Sequence, residues 1–311
     1  MADFSSVVSR TAWYKIVFIL TLVIFAALFF IFPQNHTLPP TYYATDPELD
    51  LAVVDGIAKT DKNLGVTENV GAVVVPHHLV ASEAIALGIK AITASSPQTV
   101  VIISPDHFEK CPKLLCTTQG NYETFFGDVA ISGEEVGRLL SHKDLISTSD
   151  LFVGEHGVYS IVPFIKHYLP DAAIVPIAVS QRGLGDEYSR AEIISVLDQL
   201  VSRNDVALVI SSDFSHYLPL AEADKKDQKT KKAFCSGDGQ AVLDLKNPSQ
   251  SDCPLCLWIA QQEAKKNEFW NPIIAWHSNS ANLLHDTSVQ ETTSHFTILL
   301  SGTASESSCS T

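Results

Sequence analysis

The chain has 311 residues, with 35 acidic against 21 basic side chains and a formal charge of -14. That length holds one large α/β domain or two ordinary ones. The acidic balance argues against a nucleic-acid partner, because a phosphate backbone is gripped by clustered Lys and Arg. The one cationic run, KKDQKTKK at 225–232, is interrupted by Asp227 and reads as a solvated helix face.

The first segment is apolar. Residues 16–32 carry no charged side chain and, apart from Thr21, are all apolar, and Trp13 and Tyr14 stand as an aromatic girdle before them. From 13 to 32 there are about 20 residues, ~30 Å of helix, which matches a bilayer core. Lys15 lies near one end and can snorkel to the headgroups. A cleaved signal peptide would have a shorter apolar region and a small-residue cleavage site, so an uncleaved anchor is the favoured reading. Arg10 and Lys15 fall on one side of the span or at its start, while Asp46, Glu48 and Asp50 follow it. Positive-inside bias then predicts a cytoplasmic tail at 1–12 and a large domain outside the cytoplasm, with the bilayer as the partner of 13–32.

Residues 33–45 are rich in Pro and Thr and are expected to form a tether, and 303–311 a disordered polar tail. Between them, 46–302 reads as one domain. Strands are expected at 73–75, 100–103, 173–179 and 206–210, with later ones at 273–277 and 295–300. Helices are expected at 82–93, 133–142, 158–168 and 186–202, then near 221–244 and 254–266. Short apolar strands alternating with helices predict a three-layer α/β/α domain around a mostly parallel or mixed sheet.

Four apolar strands are expected to run directly into clusters of ligand-type residues. GAVVVP leads to His77-His78, TVVIIS to Pro105-Asp106-His107, the segment 150–153 to Glu155-His156, and VALVIS to Ser212-Asp213-Phe214-Ser215-His216. Strand ends in an α/β sheet line its ligand crevice, so these clusters point to one site. Pro76 and Pro105 make rigid corners that can aim an imidazole. Of the neighbouring pair, His77 is expected to face the site and His78 away. Asp106 is a candidate acceptor that orients a histidine ring. His156 opens a helix, where the dipole favours its neutral form. Asp213 and His216 can face one way as acid/base or ligand pair, although Asp213 also suits an N-cap. His36, His142, His167, His277, His285 and His295 lack such settings and read as surface or packing residues.

Cysteines at 111, 116, 235, 253, 256 and 309 fit an exported domain with one or two disulfides, and Cys111 and Cys116 are close enough in sequence to pair. Cys253-Pro254-Leu255-Cys256 has redox-motif spacing, which alone is weak evidence.

In order along the chain, Pro76-His77, Ser104-Pro105-Asp106-His107, Glu155-His156 with Val162-Pro163-Phe164, Ser211-Ser212-Asp213-Phe214-Ser215-His216-Tyr217 and Ser278-Asn279-Ser280-Ala281-Asn282 resemble the Memo family, also called AmmeMemoRadiSam system protein B. The resemblance spans about 70–300 and extends in layout to the class III extradiol dioxygenases. It implies a metal ion (iron, copper or zinc) held by His77, His107 and a cysteine at Cys253, with Cys256 as the other register. Asp213, His216, Glu155 and His156 would then line the cleft as acid/base or orienting groups. Two functions follow as expectations: metal-dependent redox or oxygen-dependent chemistry, or a non-catalytic module that binds a peptide or small ligand in the same crevice.

Overall fold

The computed structural model describes residues 41–43, 47–63, 70–302 and 309. The anchor expected at 13–32 lies outside the described residues, as does the cytoplasmic tail. Among the described residues no helix is long and apolar enough to cross a membrane.

Eleven strands appear among these residues: β1 Thr41–Tyr43, β2 Val70–Val75, β3 Thr99–Pro105, β4 Leu115–Thr117, β5 Asn121–Thr124, β6 Gly127–Val129, β7 Ile146–Thr148, β8 Ala173–Val179, β9 Val206–Ser211, β10 Pro272–Asn279 and β11 Ser294–Ser301. Eight of them form one mixed sheet in the order β10-β11-β2-β9-β3-β8-β4-β7. Its centre, β2, β9, β3 and β8, is parallel; β11 runs antiparallel to β2, and β4 antiparallel to β8. The expected mixed sheet is therefore present. A small second sheet, β1-β5-β6, uses Thr41–Tyr43, which falls inside the segment expected to be a tether. Tyr42 is buried there and its hydroxyl meets Thr118 Oγ1 at 2.7 Å.

Two apolar cores explain the three layers. Side chains alternate across a strand, so Val74, Val101, Ile103, Leu208 and Ile210 face one side and Val73, Val75, Val100, Ile102 and Val209 the other. The first set packs on the helices Glu187–Val201 and Pro254–Lys266, the second on Ser82–Ala91 and Val162–Tyr168. Each such side chain contributes roughly 1.5–3 kcal/mol by leaving water. In Glu187–Val201 the buried residues are Ile193, Val196, Leu197, Leu200 and Val201, the first four at the helical spacing expected of that segment, and Asp186 caps its start through Tyr188 N and Ser189 N. Gly88 lets Ser82–Ala91 approach the sheet closely, since a Cβ there would stand 2.2 Å from Val75 Cγ1.

The structure corrects three elements. Asp150–Val153, expected as a strand, is a 3₁₀ turn capped by Ser149; Leu151 and Phe152 enter the core while Val153 is exposed. The helix expected at 158–168 is two, His156–Tyr159 and Val162–Tyr168, with Pro163 in the first turn of the second, where its missing N–H costs nothing. The helix expected over 221–244 also divides, into Leu220–Cys235 and Gly239–Leu243, around Gly237 at φ 71°.

One acid is stranded in the core. Glu263 is buried, its Oε1 has no hydrogen-bond partner, and burial followed by repulsion from Asp198 raises its pKa from 4.5 to about 8. The folded chain thus holds a proton that the unfolded chain releases above about 4.5. Stability contributed by this proton falls as pH rises from there through about 8. Thermal melts from pH 5 to 9 will show Glu263→Gln gaining stability relative to the parent across this window; a pH-independent difference would refute the assignment.

Candidate metal centre

Because β2, β9 and β3 are neighbours and parallel, the residues just beyond their carboxyl ends stand side by side. Those residues are His77, Asp213 and His107. Sheet order alone therefore assembles the crevice.

His77 leaves β2 at the Pro76 corner with its ring buried. Its Nδ1 pairs with Ser211 Oγ at 3.0 Å, which turns Nε2 toward the cleft. There Nε2 lies 3.3 Å from Asp213 Oδ2 and 3.3 Å from Asp252 Oδ2, yet neither contact has hydrogen-bond geometry. His107 leaves β3 in the same way. Its Nδ1 donates to Glu155 Oε1 at 2.6 Å and its backbone N–H to Glu155 Oε2 at 3.2 Å, while Nε2 stands 3.7 Å from Asp252 Oδ2. The His156 ring stacks on His107 with centroids 4.0 Å apart. One nitrogen from each of His77, His107 and His156 lies within 4.8 Å of the others.

Glu155 is wholly buried and caps the short helix it precedes, accepting from Gly157 N at 2.9 Å. It positions His107 rather than meeting a ligand. Asp252 is held by Ser212 Oγ at 2.7 Å and by the Asp213 backbone N–H at 3.1 Å. Asp213 is fixed from behind by His295 Nδ1 at 2.7 Å, and His295 Nε2 meets Ser280 Oγ at 3.1 Å. Its other oxygen lies 3.1 Å from His78 Nδ1. His216 is buried beside them, and Asp213, His216 and Asp252 form a further group whose ligating atoms all lie within 4.8 Å.

The charges sort themselves by surroundings. Burial drives the pKa of His77 down to about 3 against the pull of Asp213 and Asp252, so its ring is neutral at neutral pH. Burial also opposes charge on His107, but Asp252 and Glu155 prevail and raise its pKa to about 10. Burial lowers His78 and His156. Desolvation works against ionised Asp213 and Asp252, yet the imidazoles around them hold both below the usual carboxylate range. A cleft of about 530 Å³ opens over the centre, with His107, His216, Asp252, Gln181, Arg182 and Tyr217 among its lining residues. Tyr217 stands at φ 57°, a left-handed conformation costly for an aromatic residue, and its side chain is largely exposed.

Several expectations are corrected here. Cys253 forms a disulfide with Cys256, and its sulfur accepts from Gln181 Nε2, so it offers no thiolate. The anionic donor beside His77 and His107 is Asp252, one residue earlier. Asp106 does not orient a ring; its carboxylate accepts from the backbone of Lys110 and Cys111 in the following turn. His78, expected to point away, approaches Asp213. His295, taken as packing, is the buried partner of Asp213, and only its place at the head of the apolar strand β11 hinted at that. Asp213 caps no helix. All six cysteines are paired, Cys111 with Cys116, Cys235 with Cys309 and Cys253 with Cys256, one pair more than the sequence reading allowed.

The fold and the site together define a three-layer α/β protein with a histidine-carboxylate centre at the carboxyl ends of its parallel strands. A family model described as "Memo-like protein" matches residues 37–256, and the chain belongs to the Memo family. Similar curated proteins include a "MEMO1 family protein" of Caldivirga maquilingensis, 33% identical over 43% of this chain and 47% of its own length. Others come from Pyrobaculum arsenaticum, 27% identical over 51% and 56%, and Methanococcus maripaludis, 28% identical over 63% and 72%. This chain spans about half the length of the first two. An uncharacterized protein of Escherichia coli K12 has a similar solved structure, with TM-score 0.47 and 13% identity over 74% of this chain and 98% of that one.

Gly157 sits where the site is tightest, since a Cβ would stand 2.1 Å from Ser104 Oγ and 3.1 Å from Glu155 Oε1. Gly157→Ala should cost about 1–3 kcal/mol of stability by overpacking. In denaturant titrations, adding Ser104→Ala should recover part of that loss; strict additivity would show that the clash is not the cause.

Proposed function

We propose that this chain is a membrane-anchored Memo-family metalloprotein that binds a transition-metal ion through His77, His107 and His156, with Asp252 as neighbouring anion, and acts on a small ligand in the cleft above. The carrying observation is the convergence of three imidazoles within ligand reach of one another, with His77 Nε2 buried and lacking a hydrogen-bond partner. A buried polar atom without a partner is costly, and a metal ion would satisfy it. Imidazole donors suit zinc, copper and iron alike, so the donor set fits the metals that the family resemblance implies. Cys253 would join them only in a chain whose Cys253–Cys256 bond had been reduced.

When bound, such an ion supplies Lewis acidity, or redox or oxygen-dependent chemistry if it is iron or copper. The chain's own residues do the rest. Glu155 fixes the orientation of His107, and the flanking carboxylates Asp213 and Asp252 set the negative charge of the cleft floor. Arg182 reaches the same cleft, with its guanidinium partly committed to Ser180 Oγ and Lys113 O. The competing function, a binding module without catalysis, uses the same cleft and needs no metal.

The apolar run at 13–32 supports attachment to a membrane, and the charge asymmetry around it supports a domain outside the cytoplasm. Three disulfides suit the same oxidising side.

Protein purified anaerobically should carry stoichiometric metal, and His107→Ala and His77→Ala should each lose it from the imidazole centre, as read by elemental analysis. A metal-free parent, or variants that keep the parent's full metal content, would favour the binding module. Full-length chain should remain in the membrane pellet after alkaline carbonate washing and be accessible to protease from the extracytoplasmic side; release by carbonate would refute the anchor.

A further inference from the structure

Among the described residues three groups of ligand-type side chains cluster at this cleft; one, His77, His78 and Asp213, joins the other two, which have no residue in common. One is the imidazole set His77, His107 and His156; the other is Asp213, His216 and Asp252, all buried, with one ligand atom each within 4.8 Å of the others. Six donor side chains exceed what a four-coordinate ion uses. The second set also shows unmet demand of its own. Asp213 is fully buried and its Oδ2 has no hydrogen-bond partner, although it faces the cluster from between His77 and His78. His216 Nδ1 is likewise buried without a partner.

We propose that the centre is dinuclear, with a second divalent cation held by Asp213, His216 and Asp252 beside the first. This rests on the imidazole centre described above. Asp252, from the second set, reaches toward the first. Its Oδ2 lies near His77 Nε2 at 3.3 Å and His107 Nε2 at 3.7 Å, and the same residue belongs to the carboxylate set. A carboxylate so placed can bridge two ions, as in the paired-metal sites of hydrolases and transfer enzymes.

The two positions differ in chemistry. Three imidazoles suit a borderline ion such as Zn²⁺, whereas two carboxylates and one imidazole suit a harder one such as Mn²⁺. The supporting shell is in place for the second position. His295 Nδ1 donates to Asp213 Oδ1, and Ser212 Oγ donates to Asp252 Oδ1, so each ligating carboxylate is aimed by a buried donor. Asp213 and His216 then serve as the ligand pair, one of the two roles the sequence left open, and not as acid and base.

The test is metal stoichiometry of the full chain after equilibration with Zn²⁺ and Mn²⁺ together, by elemental analysis, with Mn²⁺ also read by electron paramagnetic resonance. The parent should hold two equivalents, one of each. His216→Ala and the milder His216→Gln should lose Mn²⁺ and keep Zn²⁺, His107→Ala should do the reverse, and Asp252→Asn should weaken both. Circular dichroism and melting curves identify any variant that fails to fold. A parent holding one equivalent that either His216→Ala or His107→Ala abolishes would mean a single ion drawing on both sets, which overturns the second site and leaves the first. One equivalent indifferent to His216 also overturns it. A parent holding only Mn²⁺, lost with His216, would support the second position and overturn the imidazole centre; no metal at all would overturn both.

Discussion

The buried carboxylate of Asp213 is the constraint around which the site is arranged. An isolated anion in a protein interior costs several kcal/mol, more than a domain of marginal stability can absorb at many places. Here Oδ1 of Asp213 is held by His295 Nδ1 at 2.7 Å, while His78 at 3.1 Å and His77 at 3.3 Å stand against its Oδ2, arriving from strand β11 and from the corner after β2. The order β11-β2-β9 is what lets them arrive, because Asp213 follows β9, β2 is the neighbouring strand and β11 lies one strand beyond it. Topology and electrostatics therefore specify one another. A change in strand order would leave the anion without its imidazoles.

The sequence disclosed the fold's centre well, because its signal is local. Strands β2, β3, β8 and β9 are short, apolar and bounded by Pro or polar clusters, and their burial on both faces erases polar alternation. The edges were harder. Strands β4 and β7 have three residues each and are stabilised by pairing with β8 and with each other, information that no window of sequence contains. Asp150–Val153 looked like a strand because Leu151, Phe152 and Val153 are apolar, but a serine cap and a turn claim that segment.

The same division holds at the site. His77, His107, His156, Asp213 and His216 each follow an element end, and that position made them visible. Asp252 and His295 did not stand out, since their roles depend on which distant loop or strand packs beside them. Asp252 is brought in by Ser212 and the Asp213 backbone some forty residues away. Cys253 drew attention as the softer ligand, yet its pairing with Cys256 at the head of the helix Pro254–Lys266 takes its sulfur out of play. Sequence identifies donors; only the packed chain decides which ones share a centre.

Strand β11 lies between β2 and β10, and Thr297 Oγ1 donates to Ala84 O across 213 residues of sequence. Hence the segment that supplies His295 is synthesised after every other strand described in the sheet. A growing polypeptide can shape the histidine corners early, but Asp213 lacks its His295 hydrogen bond until β11 slots between β10 and β2. Closure of the pocket therefore waits on a pairing distant in sequence, and a chain that has not yet docked β11 is left open at the seam where its chemistry would reside.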